Sequence, residues 1–556
     1  MNERTKIGLE ILQAAVLLGV LGDVLLRATP WGLNVFLFIG AFVAAMSMLV
    51  LRRRSEFWNK QSIALQGALV FFGAMFVWRD SIQLRVFDTL AILTILAILT
   101  LPALKIKIPL AGIFHYILGF FWSGVNAVFT PFFLLFSDVD WKVIPRTGWS
   151  KHLIAVLRGL AIVAPLLLIF GALFVAADAV FQGIVERSFN INPDVLFSHI
   201  FLTGFLSWTV AGYLRGSLIY NFSDDLAETF LEKEAEMKPQ APSVTEETKE
   251  DASKTEEMPK PEEKKKFEWQ NFDNSALPKT FTLGAIETTI VLGLINLLFL
   301  SFVIVQIPYL FGGMDLVQNT PDFKLAEYAR RGFGELVTVA ALVLPILLLS
   351  HWLLRKDNTI NEKIYRILAG IQIVLLFVIM ISATQRLFLL TGNLGYGLTT
   401  VRFYPMAFMI LLALVFVWFT LTVLRGAREQ FAWGALWLSI FVLGILHVFN
   451  PDEYIVRTNV SLMREGRMFD SNYVTQLSDD AAPALLESLP AMNFEQQCII
   501  KNRLSRRLTE AQTENDFRTW NFSRWKARRE LSRYAESLDT SGCPVTSRSY
   551  YNDFHD

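Results

Sequence analysis

"LAGIFHYILGFFWSGVNAVFTPFFLLF", residues 110–136, is apolar enough to cross a bilayer, yet it carries Gly112, Gly119, Gly124, Asn126 and Pro131. Whether it crosses decides on which side every later segment lies. Cytoplasmic loops carry an excess of Lys and Arg. Three such marks stand out: "RRR" at 52–54, "LRKDNTINEKIYR" at 354–366 and "RGAREQ" at 425–430. If 110–136 spans, the first mark falls opposite the other two. If it does not, all three fall inside together, joined by Lys105, Lys107, Lys142, Arg146 and Lys151 of the loop 103–152. The charges therefore read 110–136 as an interfacial or re-entrant segment.

Outward from it, the 556-residue chain is 53% hydrophobic. The apolar excess is gathered into runs near 8–28, 31–51, 62–78, 86–103, 153–175, 198–220, 281–305, 332–354, 367–389, 402–424 and 430–449. Runs of about twenty residues match roughly 30 Å of hydrocarbon. An isolated segment in lipid satisfies its own backbone only as a helix. The fold expected is all-α, a polytopic transmembrane bundle of about eleven spans with a small helical soluble domain. The first run reads as a span and not as a cleaved signal. The formal net charge is zero, so nothing points to nucleic acid.

Four regions follow: a first membrane bundle over 1–220, a linker over 221–280, a second bundle over 281–449, and a soluble helical domain over 450–556. The linker, rich in Glu, Lys, Pro, Ser and Thr, has too little apolar surface to order itself. With the amino terminus inside and an odd number of spans, the linker is cytoplasmic and 450–556 emerges outside. The two cysteines, Cys498 and Cys543, both lie in that last region. Disulfides persist in oxidising compartments, so the pair is expected to be bonded.

Several blocks carry a resemblance: "LAEYARRGFGEL" (325–336), "GYGLTTVR" (395–402), "NPDEYIVRTN" with "GRMFDSNYVTQLSDDAAPALL" (450–486) and "DFRTWNFSRWKARREL" (516–531). Over roughly 280–535 the chain resembles a bacterial family of multi-pass membrane proteins, domain of unknown function 4173. That resemblance implies a bacterial cell (inner) membrane protein without an established activity, and supplies no catalytic residue.

Charges inside a span are costly and usually functional or paired. The intramembrane candidates are Asp23, Arg158, Asp178 and Glu287. A second group, Arg330, Arg331, Glu335, Arg386 and Arg402, shares a depth at the outer end of the second bundle, with Arg331 and Glu335 on one helix face. Arginine forks suit carboxylate or phosphate groups, so this group is a candidate outer polar cluster; snorkelling and helix-orienting ion pairs are the competing reading. Asp452 and Glu453 read as caps of a helix that starts at Pro451. No paired histidines suggest zinc and no P-loop is present, so no metal, cofactor or catalytic residue is assigned. The expected partners are the bilayer and an envelope protein or ligand bound through 450–556. The function expected is envelope anchoring or sensing, more in keeping with a non-enzyme. A secondary transporter with an arginine-lined outer site and a membrane-embedded transferase on lipid-linked substrates are the alternatives.

Overall fold

The computed structural model describes residues 3–52, 59–141, 193–219, 282–311, 325–355, 359–388, 397–513 and 516–543, with Val163 and Thr391. Within them the apolar runs form α1 (Glu3–Leu26), α2 (Leu33–Arg52), α3 (Lys60–Trp78), α4 (Ile82–Leu99), α5 (Ile113–Phe133), α6 (Pro193–Leu218), α7 (Ala285–Phe311), α8 (Leu325–Leu353), α9 (Thr359–Phe388), α10 (Thr400–Thr422) and α11 (Phe431–Phe449). Among the described residues these eleven are long and apolar enough to cross a membrane. The chain is an all-α polytopic bundle. The expected span 153–175 lies outside the described residues apart from Val163, as do Arg158, Asp178 and the linker.

Side-chain contacts give each helix a direction. The end of the bundle where α1 starts is called the base here, and the opposite end the cap. Arg52 at the end of α2 pairs with Glu10 near the base at 3.6 Å. At the cap, the Leu33 amide that opens α2 donates to the Trp520 carbonyl at 2.9 Å. His199 early in α6 contacts Asp23 late in α1 at 2.5 Å, so α6 runs back to the base. In the second half, the Leu283 amide donates to the Leu353 carbonyl at 2.8 Å and the Arg355 amide to the Leu283 carbonyl at 2.9 Å, which places the start of α7 beside the end of α8.

α5 departs from this pattern. Its early turns lie beside the base end of α4, where Thr100 Oγ1 donates to the Gly119 carbonyl at 3.4 Å. Its far end, continued by a π-turn to Asp138, meets the start of α1: Arg4 Nε donates to Asp138 at 2.8 Å, and Thr5 Oγ1 donates to the Asp138 carbonyl at 3.3 Å. A 21-residue helix is about 32 Å long, and its later turns pack on the middle of α6, where Trp208 Nε1 donates to the Val128 carbonyl at 2.9 Å. By length and hydropathy α5 counts among the candidate spans. After Trp141 the next described helix, α6, begins at Pro193 at the cap.

Small residues allow α1 and α6 to approach closely, as membrane helices commonly do. A Cβ at Gly19 would lie 2.8 Å from the Thr203 carbonyl oxygen. Buried Asp138 ties both helices at the base, accepting from Arg4 and from Arg215, whose Nη2 lies 3.3 Å away.

The junction out of the membrane is sharp. Asn450 takes a left-handed conformation at φ 54°, which Asn tolerates better than most residues, and Pro451 then opens α12 (Pro451–Arg464). α13 (Ser471–Val474), α14 (Ala482–Ser488), α15 (Phe494–Thr513) and α16 (Phe522–Arg533) follow. Their core, built on Ile455, Val456, Val474, Leu485, Ile500 and Leu531, is continuous with Leu84, Leu398, Phe403 and Tyr404 from the membrane bundle. The carboxy-terminal domain therefore shares one apolar core with the helix ends beneath it. A disulfide joins Cys498 on α15 to Cys543 beyond α16, with Cα atoms 5.5 Å apart.

Candidate functional site

The turn between α3 and α4 is short, so the last α3 carbonyls and the first α4 amides face the cap with no partners of their own. The carboxy-terminal domain supplies them. Asn521 Nδ2 donates to the Phe76 and Arg79 carbonyls at 2.8 and 2.9 Å. Ser523 Oγ lies 2.9 Å from the Trp78 carbonyl. Asp480, buried, accepts the Asp80 and Ser81 amides at 2.7 and 2.9 Å and pairs with Arg79 Nη1 at 3.3 Å. Arg79 Nε also donates to the His447 carbonyl at 2.7 Å, so it caps α11 as well. One carboxylate and one guanidinium thus join α3, α4, α11 and the domain.

Beside this lock lies a cavity of about 660 Å³, within the size range of small-ligand sites. The floor comes from the bundle through Asp80, Gln83, Arg85 and Thr400; the walls come from the domain. Arg85 pairs with Asp80, and Arg524 stands 3.7 Å from the same carboxylate. Arg507 reaches Asp479 at 3.2 Å and the Thr475 carbonyl at 3.0 Å. Arg503 and Arg528 complete the basic side. Asp452 takes the Ser478 amide at 3.1 Å through Oδ2, while its buried Oδ1 has no hydrogen-bond partner.

Burial governs the charges here. It pushes Asp80 up against the opposing pull of Arg85 and Arg524. It pushes Asp452 up, against the pull of its bonds to Ser478. It carries Asp479 up to about 6, with Asp80 adding to the rise and Arg507 opposing it. Desolvation likewise pulls Arg507 down. Among the described residues no three carboxylates, imidazoles or thiols are arranged to hold a metal ion.

The residues expected from sequence are distributed differently. Asp23 sits at the cap end of α1, bonded to Arg27 at 2.7 Å and to His199; it ties α1 to α6. Glu287 accepts the Gly284 amide at 3.0 Å and so caps α7 at the base. Arg330 and Arg331 lie on α8, their side chains outside the described residues. Glu335 is exposed on the same helix and Arg386 is buried near the end of α9. Arg402, in the first turn of α10, donates to the Gly397 carbonyl just before that helix. Of the described members of that group, Glu335, Arg386 and Arg402, none lines the cavity. Asp452 does not cap α12: its carboxylate accepts from the Ser478 amide and hydroxyl instead. Glu453 does stay local, accepting from Asn450 Nδ2 at 2.9 Å.

What sequence reading missed is the pairing of Asp80 with "SDD" at 478–480 and the arginines of α15 and α16. Asp80 and Asp480 are separated by 400 residues, and no local spacing announces such a contact. A second tie was equally silent: His447 Nε2 lies 3.1 Å from Asp88 Oδ2, wholly buried between α11 and α4.

No curated protein and no solved structure matches the chain. The family number read from the sequence blocks is corrected: the match is not to domain of unknown function 4173, and it extends well forward of 280 while ending before the 516–531 block. Residues 66–488, from within α3 through α14, match another family. The chain belongs to the family described as Domain of unknown function (DUF4153).

Proposed function

We propose that this integral membrane protein serves the bacterial cell membrane as a sensing or anchoring protein, its carboxy-terminal domain outside and its amino terminus and 221–280 linker in the cytoplasm. The domain holds a ligand against the ends of the membrane helices. The observation that carries this reading is the cavity formed jointly by the α3–α4 turn and the domain: a ligand there touches both parts at once, so its occupancy bears directly on how the domain sits on the bundle. Three features support the sidedness. The basic loops 354–366 and 425–430 connect helix ends at the base. The described ends of α6 and α7 flank the linker on that same side. The disulfide lies at the cap, as an oxidising compartment favours.

The test is labelling in whole cells with a membrane-impermeant maleimide. Glu465→Cys, at an exposed position of the domain, is expected to label in intact cells. Ser243→Cys in the linker is expected to label only after lysis. The reverse pattern would overturn the orientation.

A further inference from the structure

We propose that the segment 517–525 is immersed in the surface of the bilayer, so that the carboxy-terminal domain binds phospholipid directly through Phe517, Trp520, Phe522 and Trp525. This contact is separate from the ligand-site reading above and holds for either orientation of the chain. The four aromatic side chains are between 39% (Phe522) and 70% (Phe517) exposed. They lie outside the apolar core built on Ile455, Leu485 and Leu531, and the Phe522 and Trp525 rings stand 5.8 Å apart. Single exposed apolar side chains are ordinary, but a patch of them marks an interaction surface.

The depth of the segment follows from the helix ends on which it rests. The Trp520 carbonyl accepts the Leu33 amide at 2.9 Å, and a Cβ at Gly32 would lie 2.4 Å from the same oxygen. Arg518 donates to the Val24 carbonyl in the last turn of α1, and Asn521 to the Phe76 carbonyl in the last turn of α3 at 2.8 Å. The first four helices have 24, 20, 19 and 18 residues, hence lengths of about 27–36 Å. The hydrocarbon core is about 30 Å thick, with roughly 5–7 Å of head-group zone on each side. Main chain that touches those helix ends therefore lies within the head-group zone. Trp31, whose Nε1 donates to the Leu26 carbonyl at 3.1 Å, and Trp78 stand at the same level. Tryptophan is among the side chains enriched there.

Lipid is the occupant because the patch continues surfaces that face it already. At one side Arg518 reaches α1, whose Leu17, Val20 and Val24 are exposed at helical spacing. At the other, Phe522 shares a hollow with Val448 and Tyr454, and the exposed Phe441 and Ile445 continue that stripe along α11. In a polytopic bundle such stripes meet hydrocarbon. The basic residues beside the aromatics suit the same boundary. Arg529 lies over the Trp525 ring at 5.4 Å and Lys526 is exposed; long basic side chains lay their stems on apolar surface and keep the charge in water.

The experiment uses the full-length protein in phosphatidylcholine nanodiscs. Cys498 and Cys543 are bonded to each other, so a single added thiol takes an environment-sensitive NBD label. Phe517→Cys, Trp525→Cys and Lys526→Cys probe the face; Glu465→Cys, exposed just past the far end of α12, is the reference. The quenchers are phosphatidylcholines that carry a nitroxide on the head group or near the top of an acyl chain. Labels on the face are expected to emit at shorter wavelength than the reference and to lose emission with one or both quenchers, while the reference keeps its emission. Lys526→Cys leaves every aromatic in place, so it reads the same layer if either aromatic exchange lowers the melting temperature. Labels that emit as in water and escape both quenchers overturn the proposal. Labels that are shielded from water yet unquenched assign the face to protein, a second copy or a partner, and overturn it too. Equal quenching of Glu465→Cys shows no preference for this face and does the same.

Discussion

The Asp480 carboxylate pairs with Arg79 at 3.3 Å across 401 residues of chain, and side-chain exposure is 0% for Asp480 and 13% for Arg79. Removing one partner of a buried pair leaves the other desolvated and uncompensated, a loss of about 3–5 kcal/mol. Asp480→Ala also strips the Asp80 and Ser81 amides of their acceptor. The expected outcome is release of the carboxy-terminal domain from the bundle, read as rapid proteolysis between 450 and 543 in detergent while the helices stay protected. A domain equally protected in the variant would refute the lock.

Acid should tighten this region. Burial carries Asp479 up from 3.8 to about 6. The folded state therefore holds this proton more tightly than the unfolded chain, and its contribution to stability falls as pH rises from about 4 to 6, then levels off. The size is on the order of 2–3 kcal/mol. Chemical denaturation followed at pH 4.5 and 6.5 should show this slope in wild type and a smaller one in Asp479→Asn. Equal slopes would show that Asp479 titrates normally.

The disulfide closes 45 residues, a loop that the chain-entropy account values at about 4 kcal/mol. Cys498→Ser is expected to loosen α15 and the tail without disturbing the membrane helices, seen as a lower melting transition for the domain alone. Two free thiols on protein denatured without reductant would exclude the bond.

At the base, Asp138→Asn leaves Arg215, only 7% exposed, without its counter-charge. Loss of folded protein in the membrane is expected, again at about 3–5 kcal/mol. Asp138→Leu with Arg215→Leu should recover part of it, since paired removal of buried charges is often tolerated. A double variant as unstable as the single one would mean that Arg4 carries the interaction.

The membrane helices were legible because each needs only its own apolar run: ten of the described helices coincide with runs read from sequence. The stretch 110–136 shows the limit of that signal. Apolarity admits it as a span, and only the charge marks around it argue otherwise. The site was not legible. Depth alone grouped Glu335, Arg386 and Arg402, but depth does not say which face a side chain takes, and Glu335 is turned outward. The residues that do meet, Asp80 and Asp480, Arg85 and Arg507, are brought together by tertiary packing, for which a single sequence has no periodic signature.

The groups that complete the end of α3 are made about 445 residues after it. Phe76, Trp78 and Arg79 offer carbonyls that Asn521 and Ser523 satisfy. Chains fold from the amino terminus as they emerge, so the first bundle stands with an open seam until residue 523 arrives. A product truncated anywhere before that point inserts its helices and still lacks its closure. Chains that stop before residue 523 should therefore be cleared although all their membrane helices are made.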